Sequence, residues 1–319
     1  MPATPLPCTD LPDQISCIDT LYQRPGLAAC YLIESADEAA LIDTGTGPLT
    51  PRLLALLAHK AIRPEQIKYV IPTHVHLDHA GAAGQLMQHL PAARLVVHPL
   101  GARHLIDPSK LIAGATAVYG ENRFKALYGE LLPVPAQRVQ EAEDGLVLEL
   151  GQRRLYCLDT PGHARHHICL YDDQSQGLFT GDTFGLSYRE FDTARGPFIL
   201  PTTTPVQFDP DAWHTSLDRL LALDPSCIYL THFGRVDEPQ RLGCELHQGL
   251  DDFVSIAERL ASGGSSEIKA ELLNWTLNRL AAQASPLSST RVQQLLDMDL
   301  ELNAQGLEIW LARKARQTS

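Results

Sequence analysis

The chain has 319 residues, 44% of them hydrophobic, with 26 Lys plus Arg against 38 Asp plus Glu and a formal net charge of -12. That length can bury a full core as one large domain, or one domain with a smaller appendage, and the acidic balance argues against nucleic acid as the main partner. No basic, apolar, small-residue leader opens the sequence, and no apolar run approaches the roughly 20 residues of a membrane span, so a soluble cytoplasmic protein with no membrane partner is expected.

In chain order, the stretch from Ile15 to Thr44 offers short apolar runs, Ala28–Ile33 and Ala39–Ile42, that predict successive strands. The second ends in Asp43-Thr44-Gly45, a carboxylate at a strand end before a glycine turn. Thr50 and Pro51 are expected to cap and begin a helix with Leu53, Leu54, Leu56 and Leu57 on its apolar side. A strand at Tyr69-Val70-Ile71 runs into Thr73-His74-Val75-His76-Leu77-Asp78-His79, after which a helix opened by Asp78 and His79 continues through the small residues Ala80 to Gly84. Arg94–His98 is another strand. Residues 99–144 break the rhythm with a helical pair, 110–118 and 121–132, and read as a pocket-forming insertion. Strands return at 146–150, 154–158, 169–171 and 178–180. Asp209 and Pro210 start a helix bearing Trp213, Leu217, Leu220 and Leu221, and the strand Ile228–Leu230 leads into Thr231-His232. Beyond Arg241 the pattern is helical, over 246–260, 267–282 and 290–315. Two runs of strands, each followed by helices, imply an α/β fold of two packed sheets with helices outside. A catalytic domain over 1–240 and a C-terminal helical region over 241–319, serving as lid or dimer surface, are expected.

Five polar sites follow strand-like runs: Asp43, His74 to His79, His163, Asp182 and His232. Strand ends on one rim of a sheet converge, and imidazoles with an intervening carboxylate suit borderline divalent metals such as zinc or ferrous iron. Other histidines have plainer readings: His166 and His167 as structural or pocket residues, and His59, His89, His98, His104, His214 and His247 as surface or helix residues. Tyr188 and Arg189, shortly after Asp182, are candidate pocket residues alongside His167. Trp275 and Trp310 sit among aliphatic neighbours at helical spacing, so packing is preferred to ligand stacking. The seven cysteines form no C-x-x-C pair and are expected to be reduced thiols.

His74-Val75-His76-Leu77-Asp78-His79, Gly162-His163, Gly181-Asp182 and Thr231-His232, in that order and after Asp43-Thr44-Gly45, resemble the metallo-β-lactamase superfamily over roughly residues 15 to 235. The resemblance implies an αββα sandwich holding two divalent ions, zinc foremost, with iron or manganese as alternatives. It places His74, His76 and His163 on the first ion and Asp78, His79 and His232 on the second, with Asp182 bridging and Asp43 orienting a ligand histidine from behind. It further implies hydrolysis by a metal-bridging hydroxide, with Asp78 also accepting and passing on a proton. Among branches, the chain is most similar to the glyoxalase II-like and lactonase-like hydrolases, which favours a small ester-like substrate, a lactone or thioester. The helices from Arg241 carry few clustered cations before Arg313-Lys314-Arg316, which argues against the glutathione thioester. Alternatives are a mono-iron persulfide dioxygenase on the same fold and a signalling protein with a vestigial site. A homodimer is the expected self-association.

Overall fold

A computed structural model describes residues 3–203 and 206–318. The first sheet holds β1 (Cys8–Leu11), β2 (Ile15–Asp19), β3 (Ala29–Ser35), β4 (Glu38–Ile42), β5 (Ile67–Ile71), β6 (Arg94–Val97) and β7 (Val139–Glu141), side by side in chain order. Pairing is antiparallel from β1 to β4 and parallel from β4 to β7. Six helices interleave with these strands: α1 (Thr50–His59), α2 (Leu77–Ala80), α3 (Ala83–His89), α4 (Pro99–Ile106), α5 (Ser109–Tyr119) and α6 (Glu121–Tyr128). The second sheet runs β13 (Gly234–Val236), β12 (Cys227–Leu230), β11 (Gly177–Gly181), β10 (Ile168–Asp172), β9 (Arg153–Asp159), β8 (Val147–Leu150). The remaining helices are α7 (Pro210–Leu221), α8 (Pro239–Arg259), α9 (Gly264–Ala282) and α10 (Ser289–Thr318).

The chain divides into two compact units. The first comprises the residues up to Asp159 with His166–Gly181 and Ser226–Arg235, and so contains both sheets. Side chains alternate along a strand, and β3 shows the result. Cys30 and Leu32 pack with Leu53, Leu57 and Leu86 of the helices, whereas Tyr31 and Ile33 pack with Leu155, Leu170 and Phe179 of the other sheet. Because β3 is covered on both faces, it is a nearly continuous apolar run. Fully burying each such side chain contributes about 1.5–3 kcal/mol. The second unit comprises Thr160–Arg165, Asp182–Pro225 and the chain from Val236 on. Its core is built from one stripe of each helix, with Trp213 and Leu217 of α7, Leu246 and Phe253 of α8, Leu272 of α9 and Leu296 of α10 all buried. Among the described residues, no helix is long and apolar enough to cross a membrane.

Four local expectations are corrected. The helix expected from Asp78 onward is two, α2 and α3, because the Ala82 N–H turns away to the Gly45 carbonyl (2.9 Å) and the Thr44 hydroxyl (3.2 Å). The helical pair of the insertion is three helices and a strand. Pro99 at the first turn and His98, whose Nδ1 accepts from the Leu100 N–H, start α4, and α6 stops at Tyr128 because Gly129 turns to a φ of +67°. His98 is accordingly a buried cap rather than a surface residue. Thr50 is the first residue of α1, which follows a 3-10 turn at Gly47–Leu49, and Leu49 holds the cap position.

Candidate metal centre

In the first unit β4 and β5 run parallel with Ile42 opposite Ile71, so the chain leaves both strands at one level. Asp43 and the histidine loop therefore emerge side by side. β11 and β12 also end level, with Gly181 opposite Leu230. Asp43 takes a φ of +56°, uncommon for a residue with a side chain, and the turn aims its buried carboxylate at three segments. Oδ1 accepts from the Thr73 N–H (2.8 Å) and Thr73 hydroxyl (3.0 Å). Oδ2 is 2.8 Å from His79 Nδ1 and accepts from the Thr231 hydroxyl at 2.7 Å. One carboxylate thus fixes the loop after β5, the second residue-from-last of α2 and the end of β12 together.

That network decides which ring nitrogen of each histidine carries the proton. His79 Nδ1 faces the Asp43 carboxylate and His232 Nδ1 faces the Leu27 carbonyl at 2.7 Å. Both are acceptors, so in each neutral ring Nδ1 donates and Nε2 presents its lone pair. The two Nε2 atoms lie 3.7 Å and 3.5 Å from Asp78 Oδ2, and the three ligand atoms are all within 4.8 Å of one another. Donors held about 2.1 Å from one tetrahedral ion stand about 3.4 Å apart. Two lone pairs and a carboxylate so placed repel one another until a cation sits among them, which is how a divalent-metal site is built. The donor set fits the metal.

The other expected ligands fall into two groups. His74 and His76 project from the same loop, with His74 Nε2 2.7 Å from His76 Nδ1, and the buried His167 ring stacks on His74 at 4.9 Å. His166 packs alongside, 6.1 Å from His74. In the second unit His163 Nδ1 donates to the Thr202 carbonyl (2.7 Å) and its Nε2 lies 3.3 Å from Asp182 Oδ2, the same arrangement as at His232. Tyr188 is fully buried there, its hydroxyl 3.0 Å from Asp299, and Arg189 bonds the Ser187 carbonyl and pairs with Asp192.

Sequence reasoning missed the threonines. Thr73 and Thr231 each stand immediately before a ligand candidate, and the repeated Thr-His dipeptide was the available signal. It also missed Tyr22, Tyr119 and Tyr128. Tyr22 and Tyr128 share a hydroxyl contact of 2.8 Å. Burial first, and the nearby Asp78 carboxylate among the further causes, push all three hydroxyls above their ordinary range. They come from the loop between β2 and β3, from α5 and from α6, which pattern alone could not bring beside Asp78.

The sequence model of the metallo-beta-lactamase superfamily matches residues 24–232. The chain belongs to that superfamily. It is 29% identical over 216 residues to a metallo-beta-lactamase fold-containing protein of Sulfurisphaera tokodaii, covering 66% of this chain and 75% of that one. It is 28% identical over 185 residues to the acyl-coenzyme A thioesterase MBLAC2 of Bos taurus, covering 51% of this chain and 61% of the relative. A solved metallo-beta-lactamase family protein of Thermus thermophilus superposes with a TM-score of 0.63 at 21% identity, over 98% of this chain and 92% of its own. That likeness is one of fold and extends through the C-terminal helices. The fold class is the αββα sandwich of this superfamily with a C-terminal helical extension.

Proposed function

We propose that the chain is a hydrolase that holds two divalent ions, zinc foremost, and cleaves a small ester-like substrate, with thioesters first and lactones second. The observation that carries the reading is the convergence of His79 Nε2 and His232 Nε2 on Asp78 Oδ2 with both Nδ1 protons committed elsewhere. Asp78, His79 and His232 hold one ion in this proposal. His74, His76 and His163 hold the other, with Asp182 shared between them; this second assignment rests on the order of the motifs. The bovine relative is named as an acyl-coenzyme A thioesterase, which favours the thioester.

Bound divalent ions lower the pKa of a ligand water toward neutrality and stabilise the charge that develops on a substrate carbonyl oxygen. The protein's own residues supply the rest. Asp78, at 23% side-chain exposure the most open of its group, can take a proton on a carboxylate oxygen and return it to the leaving group. Asp43 and the Leu27 carbonyl hold the two imidazoles in one tautomer, so no reorientation is needed during turnover. Tyr22 and Tyr128, kept protonated by burial, spend one hydroxyl hydrogen on their mutual contact and keep one to donate to a substrate carbonyl.

The test is metal analysis of protein purified without added metal, joined to a panel of acyl thioesters, lactones, phosphodiesters and β-lactams scored by kcat/KM. Two equivalents of metal and turnover of thioesters or lactones are expected. One iron per chain with oxygen uptake on persulfides would sink the reading.

A further inference from the structure

The second unit contains a cavity of about 580 Å³ that the hydrolytic chemistry does not use. Arg241 and Glu245 of α8 line it, as do Trp275 and Arg279 of α9, Gln283 just past the end of α9, and Arg195 from the loop ahead of α7. Spacings of four residues, Arg241 to Glu245 and Trp275 to Arg279 to Gln283, put these side chains on one face of each helix. Three guanidinium groups stand against the lining carboxylate Glu245 and against Glu238, which pairs with Arg241 at 2.9 Å, and the balance is a positive spot in a chain of net charge -12. The members lie far apart in sequence, which is why a search for clustered cations along the C-terminal helices does not find them.

The cavity is built rather than incidental. Glu245 Oε1 accepts from Arg241 at 2.7 Å, and Glu245 Oε2 stands 4.0 Å from Arg279, so one carboxylate spaces two guanidinium groups. Arg195 is tied by the Ala282 carbonyl at 2.7 Å. Gly196, at a φ of +98°, gives Arg241 its room, since a Cβ there would come 2.7 Å from its Nη2. Arg241 is committed to Glu238 and Glu245, so the donors left for an anion are chiefly those of Arg195 and Arg279, and a planar fork binds phosphate best. Two features ask for more than an anion. Gln283 Oε1 is buried with no hydrogen-bond partner among the described residues, and Glu245 Oε2 likewise accepts no hydrogen bond. Such acceptors are costly unless a ligand brings N–H donors. The third feature is the half-buried Trp275 indole, braced edge-on by Phe253 at 5.2 Å and overlain by Arg279 at 5.0 Å.

We propose that this cavity binds an adenine nucleotide, with phosphate on Arg195 and Arg279, the base beside Trp275, and the adenine amino group on Gln283. A glutamine amide matches the donor and acceptor pair on one edge of adenine, and the volume lies in the range of small-molecule sites. The chemistry is shared by a free nucleotide and by the nucleotide handle of a coenzyme A thioester.

Calorimetry on the full chain with ADP, coenzyme A, adenosine and inorganic phosphate tests it without calling on turnover, so its failure is separable from failure of the hydrolase proposal. ADP is expected to bind at least about tenfold tighter than adenosine or phosphate. Arg195→Ala and Gln283→Leu are expected each to weaken ADP about tenfold. Arg195 is exposed, so its variant should keep the thermal midpoint of the parent. Coenzyme A displacing ADP supports the site as a coenzyme handle; ADP binding without such displacement supports a free nucleotide. No heat from either ADP or coenzyme A at about 5 mM, phosphate binding as tightly as ADP, or both variants binding like the parent would overturn the proposal.

Discussion

Two histidine pairs with carboxylates beside them, one in each unit, make an instructive contrast, because the pair in the sandwich unit is arranged for a metal and the pair between α7 and α8 is not. In the sandwich unit, His79 and His232 each commit Nδ1 to a protein acceptor and aim Nε2 at a shared carboxylate, Asp78. In the helical unit, His214 of α7 and His247 of α8 stack at 4.9 Å and turn their Nδ1 atoms to each other at 2.6 Å, while their Nε2 atoms face separate, exposed carboxylates, Asp251 and Asp218. The composition of the two groups is nearly the same. What differs is where the second nitrogen goes. A ring whose far nitrogen is anchored presents one oriented lone pair, whereas two rings anchored to each other share a proton and leave nothing directed at an ion.

The comparison breaks most sharply at Asp78. Asp78→Asn removes both the shared oxygen charge and the proton acceptor, and kcat/KM on the best substrate of the panel should fall by about 10²–10⁴, with metal content falling as well. His247→Gln should leave both at the parent value. Equal losses in the two variants would mean that the helical pair is part of the site. Next in size is Asp43→Asn, which touches no substrate but frees His79 and removes acceptors for Thr73 and Thr231. Metal affinity should drop about 10- to 100-fold, the usual cost of losing such a supporting carboxylate, as read by competition with a chelator. Unchanged affinity would show that anchoring the far nitrogen is not what makes the ligand.

How much of this could be read beforehand follows from the range over which the information is encoded. The candidate ligands were legible because the H-x-H-x-D-H spacing is local and the later motifs keep strand-end positions. β3 and β5 were legible because a buried strand is a short apolar run. β1, β7 and β13, at three or four residues each, are too short to show a period, and they exist through pairing with distant strands. The same holds for side-chain clusters. Thr73 and Thr231 meet on Asp43 from positions far apart in the chain, and Arg195, Arg241 and Arg279 converge only once the helices of the second unit pack.

A smaller effect tests how tightly the histidine loop is held from behind. Gly181 ends β11 at a φ of +46°, and a Cβ there would lie 2.5 Å from Thr73 Oγ1 and 2.6 Å from His167 Nε2. Gly181→Ala therefore combines an unfavourable backbone with a clash against the Asp43 network, and a loss of about 1–3 kcal/mol is expected in chemical unfolding. Because the clash is with the network rather than with substrate, metal affinity should weaken along with stability. A variant that loses stability while binding metal like the parent would uncouple the two.

The smallest effect belongs to the helical pair. Burial first, and then the neighbouring His214, holds the His247 imidazole below its ordinary range. The folded state thus favours the neutral ring, while the unfolded chain takes up its proton near pH 6.5. Above that pH the contribution to stability is fully present, and it is lost as the pH falls through the folded value. Protonating His247 puts a charge into the half-buried 2.6 Å contact between the rings, which loosens α7 against α8. Both rings are partly exposed, so the change is modest, about 2 °C in Tm between pH 7 and pH 5. His247→Gln, which cannot titrate, should flatten that part of the pH profile while leaving metal content untouched. If the profile keeps its slope, the pair carries no pH dependence and the contrast between the two histidine groups rests on geometry alone.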